Sequence, residues 1–388
     1  MSLKISSFEE NLKKHKVKTT ILSIFISCMS LSVCAQSKLH IGTCITHDGG
    51  QYTGEISSKK PNGKGKVVYK NGDVYEGNYV KGKRNGYGVY IFPDGEKYEG
   101  DWLEDHQHGL GTYYFKNNNK YVGLWYRDYQ EGHGVMYYCN NDVYDGNWKK
   151  DKRSGYGEYT YKDNVASYKG YWENDMKNGK GVFTWQDGTV YSGMWKDNKR
   201  HGKGINKYAS GDKYQGEWKN DSIHGWGVYE FSNGDVYSGN YYVGQRHGFG
   251  TFKYTNGDKY VGNFANGFRD GNGTFTWSNH DEYVGLWKND LSDGRGQLTR
   301  SNGDRYEGTF SHGMMDGEIT IHFHDGSRFK GEYKEGLKNG KAIEEDSKGN
   351  RFEGSYVDGK RDGAYVMKDS NGVITEEGTY VHGRKKKN

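Results

Sequence analysis

Four histidines stand at one place in a recurring phrase: His108, His201, His224 and His247 each precede a glycine, and the last three are 23 residues apart. Imidazole is the commonest metal ligand, so a shared ion is the first chemistry to test. Two ligands of one zinc bring their nitrogens within about 4 Å of each other. Equivalent residues of stacked two-strand units lie about 9 to 10 Å apart. These histidines therefore cannot converge on one ion, and each is read as a turn residue bonding local backbone. The adjacent carboxylates Glu104 and Asp105 occupy a polar turn that carries Lys or Arg in other copies, which makes them a solvated face rather than a glycosidase pair. No stretch has the form of a nucleophile elbow, a phosphate loop or a zinc-protease helix. No catalytic residue, metal ligand or cofactor is expected.

The side chains that remain are rings. "YEGDWLEDHQHGLG" from Tyr98 to Gly111 returns as "YSGMWKDNKRHGKG" at Tyr191 and "YQGEWKNDSIHGWG" at Tyr214. The leading aromatic recurs from Tyr52 to Phe352 in steps of 23, with a single step of 24 at "YKDNVASY". Glycine follows two residues later in every copy, and an aromatic four residues later in all but the first, which has Ile56. Offsets of 0, 2 and 4 share one face of a strand. The rows formed in this way are Tyr98, Tyr121, Tyr144, Tyr168, Tyr191 and Tyr214 beside Trp102, Trp125, Trp148, Trp172, Trp195, Trp218 and Trp287. Rings lying on glycine would make the core of a thin ribbon. A one-layer ribbon cannot bury both faces, so these rows are also the candidates for a groove open to a peptide, an apolar partner or the flat faces of sugars.

Those rows need strands to carry them. Glycines at offsets 11 and 13, then apolar residues at 15 and 17, give a second strand of period two, and Gly, Asn-Gly and Asp-Gly turns separate the two. Each unit is a β-hairpin, and the hairpins continue as a meander. A lone hairpin is marginal, so stability has to come from stacked neighbours. The expectation is an all-β, elongated, twisted solenoid of about 14 to 15 hairpins, on the order of 140 Å long.

The Tyr-x-Gly-x-Trp, turn, Gly-x-Gly phrase resembles the MORN repeat (membrane occupation and recognition nexus). The resemblance covers residues 42–383, with a short lead at 36–41. It weakens over 306–383, where Ile319, Ala342 and Tyr365 replace the second glycine and Glu376 takes the tyrosine position; these are variant or capping repeats. The extra residue at "YKDNVASY" is read as a bulge or kink. The resemblance implies a scaffold that binds a protein partner or its own copy. MORN arrays also occur beside lipid kinases and methyltransferases, but almost no residues remain here for such a domain, so no enzyme is expected.

Composition agrees. Aromatics make up 15%, with 60 Gly and 2 Pro, which favours strands and turns despite a mean hydropathy of -1.06. Residues 1–35 place Lys13, Lys14, Lys16 and Lys18 before "ILSIFISCMSLSVCA", the layout of a signal peptide cut after Ala35. An uncleaved inner-membrane anchor is the alternative, and a lipoprotein signal at Cys28 ranks below both. Removing five Lys and two Glu with that segment lowers the net charge from +5 to +2, too little for nucleic acid. Cys44 and Cys139 lie four repeats apart, beyond disulfide reach. The expected protein is exported to the periplasm, cell surface or medium. A protein partner or homodimer is the leading reading. A cell-surface glycan or peptidoglycan is the alternative, as is an anionic membrane met by the tail 384–388 through Arg384, Lys385, Lys386 and Lys387.

Overall fold

The computed structural model describes residues 39–162 and 165–386. The leader expected over residues 1–35 and the tail residue Lys387 lie outside them. Among the described residues there is no α-helix, and 32 antiparallel strands form one sheet in which ladders join chain neighbours. The protein is a continuous meander.

The hairpin of Val143–Lys149 and Lys152–Thr160 shows how each unit is built. Lys150 and Asp151, both at positive φ (48° and 62°), make the two-residue turn whose twist matches the strands. Gly146 pairs with Gly157, and Trp148 pairs with Arg153. Asn147 alone therefore faces Ser154, Gly155 and Tyr156, a bulge that Gly155 makes possible at φ 78°. The strand carrying the tyrosine has seven residues and the strand carrying the glycine pair has nine for this reason. Between repeats, the Tyr138 N–H donates to the Asp142 carbonyl at 2.9 Å across an Asn-Asn turn.

Three local expectations change. The array begins at strand His40–Ile45, which pairs with Gln51–Ser57, two residues before the expected boundary. The 24-residue step leaves the ladder undisturbed: the turn widens so that the Tyr161 N–H reaches the Ala166 carbonyl at 3.1 Å. Gly157 still faces Gly170 and Tyr159 still faces Tyr168, so no kink forms there. Bulges occur instead inside the hairpins, as the glycine at offset 11 requires. Finally, Arg384–Lys385 is not a free tail but the last strand, paired with Ile374–Val381.

One face of the sheet, called the ring face below, holds the core. It falls into two clusters, Tyr52 to Phe310 and Ile319 to Tyr380, and the boundary coincides with the first replaced glycine.

Candidate functional site

The ring face is closed by its own chemistry. Tyr144 curls over the glycine pair Gly146 and Gly157, where any side chain at Gly157 would collide with its ring. Its hydroxyl donates to the Asn147 carbonyl at 3.0 Å. The same bond recurs in every repeat from Tyr52 to Tyr283. Trp148 wedges edge-on between Tyr144 and Tyr121, with centroids at 5.2 and 5.4 Å. Its Nε1–H donates to the carbonyl of Gly134 in the preceding repeat at 3.1 Å. Edge-to-face pairs of this kind run unbroken from Tyr52 to Phe310, adding about 0.5 to 1.5 kcal/mol each to simple burial.

Above the rings lies a layer of cations. The Arg153 guanidinium sits 4.4 Å from the Trp172 ring centre and pairs with Asp175 at 3.1 Å, both in the next repeat. Arg200 repeats this over Trp218 and Asp221, and Arg269 over Trp287 and Asp290. Lys177 stands at the same offset over Trp195, but its turn partner is Asn198 and not a carboxylate. Burial pulls its ammonium pKa down to about 8. Burial also pushes the hydroxyls of Tyr52, Tyr237 and Tyr283 up to about 12.

The structure thus corrects the open-groove reading of the recurrent rows. Tyr98, Tyr121, Tyr144, Tyr168, Tyr191 and Tyr214 are fully buried, and Trp102, Trp125, Trp148, Trp172, Trp195, Trp218 and Trp287 are at most 7% exposed. The rings of these rows pack on one another, and the slot that remains on this face, about 450 Å³ beside Gln130 where no cation caps the row, is walled by Tyr113, Met136 and the edges of Trp125 and Trp148.

The opposite, outer face is open. Residues at offset 12 face those at offset 3 of the next repeat: Leu110 opposes Leu124, Tyr156 opposes Tyr171, and Trp226 opposes Asn240. Leu110, Tyr156, Trp226 and Phe249 are each more than half exposed. This column escaped the sequence reading because its residues do not recur. The signal was present as rings at an offset where other copies carry Lys or Asn.

A family model of the MORN repeat matches fourteen consecutive segments, the first at residues 52–74 and the last at 352–364. The chain belongs to the MORN-repeat family. The matched segments skip only Ala166 and Ser167, at the widened turn, and the strands outside them extend the array at each end. No curated protein matches. Among solved structures, the SAS-4 (dCPAP) TCP domain of Drosophila melanogaster, in complex with a proline-rich motif of Ana2 (dSTIL), is 14% identical over 51% of this chain and 99% of that one, with a TM-score of 0.27. The TCP10 domain of Danio rerio CPAP, in complex with a peptide of STIL, is 10% identical over 82% and 99%, with a TM-score of 0.16. Virginiamycin B lyase of Staphylococcus aureus reaches 9% over 80% and 97%, with a TM-score of 0.13. Overall likeness at this level carries no functional argument.

The other candidate residues have places in the MORN architecture. The histidines before the bulge glycine lie in strands and not in turns, His108 packing on Tyr126 at 5.3 Å and His224 on Tyr242 at 5.5 Å, and the buried Nδ1 of His108 and of His201 bonds no backbone group. Asp105 accepts the Arg84 backbone N–H at 2.8 Å and so ties its turn to the preceding repeat, while Glu104 is exposed. In the tail, Lys385 pairs with Glu376 and lies 5.6 Å from the Tyr365 ring, the role Arg153 fills elsewhere. Arg384 and Lys386 are exposed.

Proposed function

We propose that this MORN ribbon is a non-enzymatic, exported interaction scaffold that docks a partner protein on its outer face. The observation that carries the reading is the asymmetry of the faces: the recurrent ring rows are buried, while the outer face of strands Lys83–Ile91 to Tyr129–Tyr137 presents Tyr87, Leu103, Leu110, Leu124 and Tyr126 to solvent. Exposed apolar area on this scale marks a contact surface. Export rests on the leader pattern of residues 1–35. The test is co-purification of partners from the source cells with wild type and with Leu110→Glu/Leu124→Glu. Loss of the same partner with an unchanged urea midpoint supports the reading. Retention of every partner by the charged variant contradicts it.

A second reading, a surface glycan, is favoured by one feature. Trp226, Asn240, Phe249 and Asn263 alternate ring and amide along the ribbon. The two rings stand about 9 to 10 Å apart, close to the two-sugar repeat of a flat β-1,4-linked chain. Quenching of Trp226 fluorescence by chito-oligosaccharides tests it, and no change on titration removes it.

A further inference from the structure

The outer face changes character along the ribbon. On the five strands from Ser167–Glu173 to Lys213–Lys219, alternation with the buried rings directs eight lysines outward against two glutamates. Lys169 is paired with Glu158 and Lys213 with Glu230, each at 3.0 Å. Lys180, Lys196, Lys199, Lys203, Lys207 and Lys219 have no carboxylate partner among the described residues. Lys207 and Lys213 face each other across the ladder, with Lys213 turned to Glu230 of the next strand.

The C-terminal block shows that this is not a general habit of the fold. There, charges of both signs alternate on the same face and pair with each other: Lys330 with Glu318 at 3.3 Å, Arg305 with Glu307 at 3.1 Å, and Arg351 with Glu353 at 3.3 Å. The middle of the ribbon carries a surplus of lysines on this face, offset in part by Glu173 and by Glu217, which faces Lys203 across the ladder without forming an ion pair.

The lysines are also interleaved with apolar groups. A trough of about 420 Å³ is floored by Gly170, Gly181 and Gly193. Along one wall Tyr171, Lys180, Met194 and Lys203 follow one another, so apolar and cationic side chains alternate. Tyr156 stands edge-on to Tyr171 at 5.7 Å at the head of the row. A polyphosphate would use the ammonium groups but have no use for the rings. A flat bilayer surface would not enter the trough.

We propose that this trough docks an acidic segment of a partner protein, extended along the ribbon axis, with carboxylates on Lys180 and Lys203 and apolar side chains on Tyr171 and Met194. This rests on the protein-docking reading above and names the chemistry of the segment. Charge complementarity sets orientation and encounter rate, and the rings supply the buried area.

The test uses the full chain and fluorescence anisotropy with a labelled Glu-Tyr peptide in which Glu and Tyr alternate at every second residue, with Ser between them, so that both share one face of the extended chain. The Gln-Tyr analogue, a Lys-Tyr peptide, inorganic polyphosphate and phosphatidylglycerol vesicles serve as comparison probes. The expected result is saturable binding of the Glu-Tyr peptide, weakened by salt and by about tenfold or more in Lys180→Glu/Lys203→Glu. That variant should instead bind the Lys-Tyr peptide, while Lys334→Glu in the C-terminal block changes nothing. Equal urea midpoints for all proteins keep folding out of the comparison. Binding of polyphosphate or vesicles without the acidic peptide overturns the assignment, as does equal binding of the acidic peptide to Lys180→Glu/Lys203→Glu, or no binding. Failure here with partner loss in Leu110→Glu/Leu124→Glu rejects the acidic-segment site alone and leaves the docking reading standing.

Discussion

The eleven repeats that begin at Tyr52 through Tyr283 and the three that begin at Tyr306, Phe329 and Phe352 solve one packing problem in two ways. In the body, a tyrosine lies on a bare glycine pair and its hydroxyl bonds the carbonyl three residues on. In the end block the second glycine becomes Ile319, Ala342 or Tyr365, and the ring has to move. No such hydroxyl bond is made by Tyr306, and the next two leading residues are phenylalanines, which have no hydroxyl to satisfy. Ring contacts loosen accordingly, from 5.1 Å for Tyr283 and Phe310 to 6.3 Å for Phe329 and Tyr356. A half-buried ionic cluster replaces part of the ring row: Glu344 receives Lys338 at 2.9 Å, Tyr356 at 2.5 Å and Arg361. Those three donors hold its carboxyl below the usual glutamate range although burial alone would raise it. Tyrosine and glycine are thus one unit, and replacing the second glycine removes the reason for the hydroxyl.

The sharpest break of this contrast is at the glycine. Gly157→Ala forces a methyl into the Tyr144 ring and should lower stability by about 3 kcal/mol, read from the urea midpoint. Ala342→Gly, the reverse change in the end block, should cost only about 1 kcal/mol. Equal losses would show that the glycine pair is not what separates the two regions.

A smaller effect separates the hydroxyls. Tyr144→Phe should cost about 1 kcal/mol for the lost bond to the Asn147 carbonyl. Phe329→Tyr should bring no gain, because Ala342 occupies the second-glycine position that the body leaves bare. Stabilisation by Phe329→Tyr would contradict the pairing of hydroxyl with glycine.

The smallest is a pH effect confined to one repeat. The folded state holds Lys177 at a pKa of about 8, below its unfolded value of 10.5. Near pH 8 the unfolded chain therefore binds more protons at this residue than the native one, and stability should rise with pH until ionisation of the unfolded chain's many tyrosines, each held protonated in the fold, reverses it well below pH 10. Lys177→Gln, the residue present at this offset as Gln107 and Gln130, should flatten the rise in a series of urea titrations.

Much of this was legible in the sequence. The 23-residue register, the hairpins and the altered end were readable because a core built from repeated contacts imposes repeated residues. The faces were not. Recurrence singled out Tyr144 and Trp148, but recurrence is what a core demands of every copy. The outer column lies at positions free to differ, such as offset 12, where Leu110, His133, Tyr156, Lys180, Lys203 and Trp226 succeed one another. The bulge was hidden too. Gly155 and Gly157 look alike in "GYG", yet the first supplies a positive φ and the second makes room for a ring. Nor does a basic tail reveal that Lys385 takes a place prepared by Glu376 and Tyr365.

Burial of the recurrent ring rows and exposure of the outer column are read out together by hydroxyl-radical footprinting of the native protein, residue by residue, by mass spectrometry. Trp226, Phe249, Tyr156 and Tyr171 should be strongly modified, and Trp102, Trp125, Trp148, Trp172, Trp195 and Trp218 should be protected. Modification of that tryptophan row to the same extent as Trp226 would contradict this burial and reopen the ring face as a groove.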